Sequence, residues 1–287
     1  MTTKTYEIEF LTPCFCAGAE QSRAELRPSA IRGELHWWFR ALGGTIQEER
    51  AAFGHVHGSA QSASTFTVRA QVQKGTGQKD WFAGNNIPQQ GMGNKTYLLG
   101  FFCGRTERLK MDGALPPGST ATVSITLRCP PSPRLEQTLR VFFSIGALGF
   151  RSTRAAGALT TKQHTLSEQG WKSLAAELTA CGFNSALLPT PFDDWVKLID
   201  HAGNFLKTRL RSKEGLGISA GRNGTAPNAL GSAVPRQASV LHLRPVRIDG
   251  KLRLALLEAP HSRILGPDAV RAHHDRGSII KLANLRP

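Results

Sequence analysis

The chain has 287 residues, 40% hydrophobic and 20% charged, the composition of a globular protein with a sizeable core. Lysine and arginine number 36 against 21 acidic residues, so the formal net charge is +15 at pH 7. This excess favours a polyanionic partner, nucleic acid first and an anionic membrane surface second. No run of 18 apolar residues and no secretory signal pattern is present, which excludes a membrane span and predicts no membrane partner.

The cysteines indicate an intracellular protein. There are five, an odd number, and no CxxC pair occurs among them. This pattern is untypical of a disulfide framework or a zinc ribbon. We therefore expect reduced thiols and a cytoplasmic location.

The first half of the chain alternates predicted strands and helices. In chain order, these are a strand from Thr5 to Pro13, a helix from about Ser29 to the glycines at 43–44, strands at 64–73, 96–102 and 119–129, a helix from 131 to the glycines at 146–149, and a closing strand at 157–163. With one extra short strand, the order is β-α-β-β-α-β, that of the ferredoxin-like split βαβ motif, which RNA-recognition modules share. Residues 74–95 are rich in glycine, glutamine and asparagine and predict a long loop.

The second half has a less regular pattern. Two helical segments, at 167–182 and 191–213, precede a second glycine-rich, basic loop at 214–236. Two strands within 238–258 are predicted around an Asp-Gly turn, and the basic tail is expected to be poorly ordered at its end. We predict an α+β protein with a ferredoxin-like module at 1–165 and a partly helical C-terminal half at 166–287.

The first predicted helix has cations beside its apolar stripe. At 100° per residue, Arg32, His36 and Arg40 lie within about 80° of one another. Such a row can bind the phosphates of a nucleic acid, although a solvated basic flank fits the same pattern. Ser29 is a candidate cap, and the N-terminus of a helix next to Arg27 is itself an anion site.

A second group of candidate residues lies in the segment 146–159, GALGFRSTRAAGAL. Gly149 permits a close approach of the backbone to another group. Arg151 and Arg154 lie on either side of two hydroxyl side chains, the first of which is Ser152. Successive backbone N–H groups in such a turn can form an anion nest, to which the arginines add charge. A helix end followed by a tight, solvated turn is the alternative.

Other chemistry is poorly supported. His55 and His57 have the HxH spacing of metal ligands, but no third ligand accompanies them. No nucleotide-binding P-loop and no Ser-His-Asp or Cys-His set is evident. We expect neither a metal nor a cofactor.

These motifs resemble the RAMP superfamily of type III-B CRISPR effector (Cmr) complexes, and within it the family of the first Cmr subunit. The matching segments are 10–44, with the sequence SAIRGELHWWFR at its centre, 51–69, the glycine-rich loop at 146–159, and 230–247. His36 stands where arginine is common in the family.

The resemblance implies two ferredoxin-like modules that hold a guide RNA near one end of a ribonucleoprotein used in antiviral defence. The implied partners are the CRISPR guide RNA, complementary target RNA, and other Cmr subunits, namely RAMP backbone proteins and the large polymerase-like subunit. The predicted RNA-binding residues are Arg27, Ser29, Arg32, His36, Arg40, Gly149, Arg151, Ser152, Arg154 and Arg236.

The resemblance also bears on catalysis. Target-cleaving relatives carry an aspartate in a longer loop between the first strand and first helix, whereas this loop offers only Glu20 and Glu25. We therefore expect no enzymatic activity. One alternative is an endoribonuclease that processes guide precursors with His36 or His164 as general acid or base. Another is a scaffold that meets other proteins through Trp37 and the basic loops.

Overall fold

A computed structural model describes residues 1–20, 23–56, 61–75, 93–99, 114–218, 229–231, 238–259 and 261–285. The chain forms two compact units. The first comprises Met1–Asn85, Cys103–Phe150 and Ala156–Thr165, and the second comprises Asn86–Phe102, Arg151–Ala155 and Leu166–Pro287. Two segments that precede residue 165 in the sequence therefore group with the second unit.

The described residues form seven strands and eight α-helices. The strands are β1 (Thr2–Phe10), β2 (Phe66–Lys74), β3 (Thr120–Leu127), β4 (Leu159–Thr161), β5 (Asn184–Leu187), β6 (Leu241–Ile248) and β7 (Lys251–Glu258). The helices are α1 (Pro28–Ala41), α2 (Ile46–Phe53), α3 (Asn94–Leu99), α4 (Pro133–Ile145), α5 (Glu168–Ala180), α6 (Trp195–Asn204), α7 (Pro267–Arg276) and α8 (Ile279–Leu282). A 3₁₀ turn (Lys162–His164) follows β4, and a π-helix (Phe205–Arg211) continues α6.

The first unit is built on a four-stranded antiparallel sheet in the order β2-β3-β1-β4. Every second residue of β3 is buried, which is the period expected when one face of a sheet is covered. Helices α1 and α4 contact each other and contribute Leu35, Trp38 and Phe142 to the core, all of them inaccessible to solvent. The alternation of apolar residues that predicted these elements thus reflects a real core.

The second unit is built on a three-stranded antiparallel sheet in the order β5-β7-β6. The predicted turn between β6 and β7 is present, with positive φ at Asp249 (46°) and Gly250 (80°), as a tight hairpin requires. Two antiparallel sheets with packed helices confirm the predicted α+β class.

Helix α3 corrects one prediction, because the apolar run at 96–102 was expected to be a strand. The helix contacts α6 through Asn94, whose Nδ2 donates to the carbonyl of Asp200 (3.1 Å) and to Oδ1 of Asn204 (2.8 Å). A Cβ at Gly203 would lie 2.6 Å from the Asn94 Cβ, so this approach needs glycine. Short apolar runs do not distinguish strand from helix, which explains the error.

The C-terminal tail contains two helices, and its last two residues, for which poor order was predicted, lie outside the described residues. It forms α7 and α8, which were not predicted, and the structure describes it up to residue 285. Within the described part of the chain, no helix is long and apolar enough to cross a bilayer.

Candidate nucleic-acid interface

The cationic flank of α1 is directed toward α2. Arg40 donates from Nε and Nη2 to Oε1 of Glu49, at 2.8 and 2.5 Å, and His36 Nε2 lies 3.3 Å from the same oxygen. Arg32 donates to the carbonyl of Phe53, and its guanidinium lies over that ring, 5.6 Å from the centroid. The predicted row of cations therefore helps to hold α2 and is partly neutralised by a carboxylate.

Sequence reasoning missed Glu49 because it did not predict α2. A signal was present, since Thr45 and Glu48 form a capping box: Glu48 N donates to the Thr45 hydroxyl (3.2 Å), and Thr45 N donates to the Glu48 carboxylate (2.8 Å).

The N-terminal end of α1 is exposed and basic. The helix begins at Pro28, and Arg27 is its capping residue, without a side-chain cap bond. Ser29 lies inside the first turn, so the prediction that it caps the helix is wrong. Both Arg27 and Ser29 are exposed, and Arg40 keeps 39% of its side-chain surface accessible. These groups are in positions that a phosphate can reach.

The glycine-rich loop depends on close backbone contacts. Gly149 has φ of +83°, and a Cβ there would lie 2.5 Å from the carbonyl oxygen of Phe15. Gly157 has φ of +63°, and a Cβ there would lie 1.8 Å from the carbonyl oxygen of Leu148. No side chain fits either position, so the glycines have a structural role whatever the loop binds.

The arginine-bearing part of this loop belongs to the second unit. The backbone of Thr153 and Ala155 hydrogen-bonds to Leu243, each bond at 3.1 Å. Arg154 donates from Nη2 to the carbonyl of Leu230 (2.6 Å), and its Nη1 is inaccessible to solvent. Arg154, predicted to contact RNA, therefore directs its guanidinium inward, although the residue as a whole is half-buried, as is Ser152.

Several cations lie around Arg154. We call Tyr97, Arg151, Arg154, Lys207 and Arg211 the Arg154 cluster. The Tyr97 ring has Lys207 Nζ 5.1 Å and Arg211 Cζ 5.2 Å from its centroid, both cation–π distances. Burial, together with the charges of Arg211 and Arg151, lowers the pKa of Arg154 to about 10, so the guanidinium stays charged at neutral pH.

His242 of β6, which lies near Arg154, is neutral because burial and nearby positive charge lower its pKa. Burial lowers the pKa of His242 to about 3, and the charges of Arg244 and Arg154 act in the same direction. Sequence reasoning missed Tyr97, Lys207 and Arg211, because they come from separate parts of the chain.

The open face of the first sheet is polar. Thr5 of β1, Ser124 of β3 and Arg69 of β2 are cross-strand neighbours on it. Among the described residues of this face there is no aromatic side chain, whereas RNA-recognition modules stack bases on aromatic residues of their sheet. The described part of this face therefore offers no platform for base stacking.

A cavity of about 630 Å³ lies in the first unit, beside the loop between β1 and α1. Glu20, Arg23 and Glu25 line it. It brings together the two carboxylates that the sequence offers in place of the catalytic aspartate of cleaving relatives. Across the described ranges, no group of three or more His, Cys, Asp or Glu side chains is arranged to hold a metal ion.

A second cavity of the first unit, of about 430 Å³, contains His164. Lys4, Tyr6, Glu136 and Arg140 also line it, and Lys4 Nζ donates to both oxygens of Glu136 at 2.6 Å. Burial lowers the pKa of His164, and the charges of Arg140 and Lys4 add to this effect. Burial and Glu136 raise the pKa of Tyr6 to about 12. At neutral pH the cavity thus has a neutral imidazole beside a protonated phenol.

The remaining predicted residues fall into two groups. His55 lies in the described part and is 2.9 Å from the Ser62 hydroxyl through Nδ1. His57, Arg236 and most of the two long glycine-rich loops lie outside the described residues. Trp37, half-buried, packs edge-on against Trp38 with the ring centroids 5.0 Å apart.

Comparison with known proteins extends this picture. No protein-family profile matches the chain. The CRISPR system Cmr subunit Cmr1-2 of Pyrococcus furiosus is 27% identical over 178 residues, which cover 54% of this chain and 92% of that protein. The crystal structure of Cmr1 from Pyrococcus furiosus (apo form) matches with a TM-score of 0.59 and 18% identity, over 90% of this chain and 88% of Cmr1. The chain resembles Cmr1.

The predicted likeness to a RAMP subunit of the Cmr type is thus confirmed. A chain of the type III-B Cmr-beta complex, solved by cryo-EM with cognate target RNA and AMPPnP, is also similar, with a TM-score of 0.49 and 11% identity over 89% of this chain and 93% of that chain. The Cmr1 match extends over most of the chain and so includes both units.

Proposed function

We propose that this chain is a non-catalytic RNA-binding subunit of a type III-B CRISPR (Cmr) effector complex. The likeness to Cmr1 in sequence and in fold carries the proposal. The chain contacts guide RNA, or the guide–target duplex, near one end of the complex. Its protein partners are the RAMP backbone proteins and the large polymerase-like subunit, and it acts in the cytoplasm.

We also infer that the first unit is a ferredoxin-like module. The order β2-β3-β1-β4, with α1 between β1 and β2 and α4 between β3 and β4, supports this assignment. A second ferredoxin-like module in the second unit stays a prediction, since its described part has three strands in its sheet.

The net charge of +15 supports binding through phosphates. We expect the affinity for single-stranded RNA to fall steeply with salt and to depend little on sequence. Replacing Arg32, Arg40, Arg151 and Arg154 together by glutamine should weaken binding to all sequences by about tenfold or more and flatten the salt dependence. Fluorescence anisotropy over a salt series measures both quantities.

Glu49→Gln is the matched control for this variant. Glu49→Gln disturbs the contacts that Arg40 and His36 make with Glu49. It removes one negative charge, whereas the fourfold variant removes four positive charges. We expect Glu49→Gln to bind RNA as tightly as the wild type or more tightly. Unchanged affinity and salt slope in the fourfold variant would contradict the proposed interface.

The absence of catalysis is tested at the first cavity. We expect Glu20→Ala and Glu25→Ala to leave target-RNA cleavage by the assembled complex unchanged, because neither carboxylate replaces the aspartate of cleaving relatives. Cleavage of labelled target RNA is the measurement. Lost cleavage with preserved RNA binding would show that this chain takes part in the chemistry.

The second cavity favours one other function, a RAMP endoribonuclease that processes guide precursors. A neutral His164 can accept a proton from a ribose hydroxyl, while Lys4 and Arg140 provide positive charge for the phosphate. His36, by contrast, is held between Glu49 and Phe53. Cleavage of repeat RNA in EDTA that is lost in His164→Ala would establish this function, and no cleavage by the wild type would exclude it.

A further inference from the structure

The Arg154 cluster concentrates positive charge inside one unit of the protein. Lys207 and Arg211 lie over the Tyr97 ring, and Arg154 is close enough to Tyr97 and Arg211 to interact with them electrostatically. All four residues belong to the second unit. Arg154 Nη1, Arg211 Nε and the Tyr97 hydroxyl are inaccessible to solvent and have no hydrogen-bond partner among the described residues. Most buried donors in proteins are paired, so three unpartnered donors in one cluster call for an explanation.

The cluster contains two arginines whose charge no described carboxylate balances. Within the described part of the chain, neither Arg154 nor Arg211 forms an ion pair with a carboxylate. Among the described residues, the positive charges of Arg211 and Arg151 act on Arg154. Arg154 and Arg211 are half-buried, so solvent screens their mutual repulsion only in part, and a bound anion would offset it.

We infer that the Arg154 cluster binds a terminal phosphate monoester, the phosphorylated end of an RNA strand. The inference rests on the proposed function. The charged groups converge on one aromatic ring and do not form a row, which suits a single compact anion. An internal phosphodiester would bring two flanking nucleotides to the same buried place, whereas a chain end brings one.

The chemistry of the donors fits this ligand. Guanidinium groups bind phosphate oxygens through charge-assisted, often paired hydrogen bonds. The Tyr97 phenol adds an O–H donor, and Lys207 adds a point charge. Lys207 and Arg211 are both partly exposed on the π-helix, so the anion enters from their side.

A mononucleotide has the same terminal phosphate, and the test separates the two sources. One short single-stranded RNA is prepared with a 3′-phosphate, with a 5′-phosphate, or with hydroxyls at both ends, and its affinity for the full chain is measured. We expect one phosphorylated form to bind about tenfold more tightly than the hydroxyl form. AMP should bind more tightly than the phosphorylated RNA if a free nucleotide is the natural ligand, and should compete only weakly, at millimolar concentration, if the RNA end is.

Arg211→Gln and Tyr97→Phe should remove the preference for the phosphorylated end while keeping the affinity for the hydroxyl form. Arg209→Gln is the matched control, since Arg209 is exposed on the same π-helix, and it should keep the preference. The Tm of Arg211→Gln should equal or exceed that of the wild type, because the repulsion between Arg211 and Arg154 is relieved.

Equal affinity for all three RNA forms would overturn the inference and leave the proposed function intact. Failure to bind any RNA would instead contradict the proposed function. In that case AMP decides the inference: a rise in Tm with AMP that is absent in Arg211→Gln supports the cluster as a phosphate site, and no rise rejects it.

Discussion

A Glu258→Ala variant should lose about 3–5 kcal/mol of unfolding free energy in the second unit. Glu258 ends β7 and is completely buried. Its Oε1 lies 2.9 Å from His273 Nε2 and accepts from the Ile279 N–H (2.7 Å), and its Oε2 accepts from the Ser278 hydroxyl (2.6 Å) and the Ile280 N–H (3.4 Å). Alanine would leave all four donors without this acceptor. The hydrogen bonds that attach α7 and α8 to β7 would then be lost.

Urea unfolding of the full chain, together with limited proteolysis of the tail, measures this loss. Asp275→Ala is the matched control, because it removes an exposed carboxylate from the same helix pair and should change stability by no more than about 0.5 kcal/mol. Glu258→Gln should fall between the two, since it keeps one oxygen acceptor. A loss below about 1 kcal/mol in Glu258→Ala would show that the tail does not depend on this carboxylate.

A Gly157→Ala variant should be destabilised by at least about 2 kcal/mol. Gly157 has φ of +63°, and the added Cβ would lie 1.8 Å from the carbonyl oxygen of Leu148. The contact is with backbone, so no side-chain rotation relieves it. The N–H of Gly157 also donates to the Pro13 carbonyl (2.8 Å), and this bond must lengthen if the loop moves.

Gly33→Ala is the control with the opposite sign. Gly33 lies in the middle of α1, and a Cβ there would meet no atom within 4 Å. Alanine is favoured over glycine inside a helix, so this variant should be more stable by up to about 1 kcal/mol. Thermal unfolding of both variants is the measurement. Equal shifts in the two proteins would mean that the loop tolerates a side chain at Gly157.

Much of the fold followed from hydrophobic periodicity. Strands β1 and β3 and helices α1 and α4 each bury one face, so their apolar residues repeat with the period of the element. Elements without such a repeat were not found: β5 has four residues, and α3 lies in an apolar run too short to distinguish helix from strand. Helix α2 needed its capping box to be recognised.

The candidate site was predictable only in part. The positions of Arg32, His36 and Arg40 on one flank follow from helix geometry, but their partners Glu49 and Phe53 come from α2. Helix α2 therefore determines which of these cations remain available to a phosphate. Hydrophobic periodicity did not predict that helix.

By itself, the sequence determined the excess of positive charge, the α+β class and the resemblance to Cmr subunits, because composition and short-range patterns carry that information. Only the tertiary structure decided that Arg154 is directed inward and lies with Arg211 beside Tyr97. The physical reason is that an electrostatic interaction depends on distance in space. Residues far apart along the chain become neighbours only when the unit that contains them has folded.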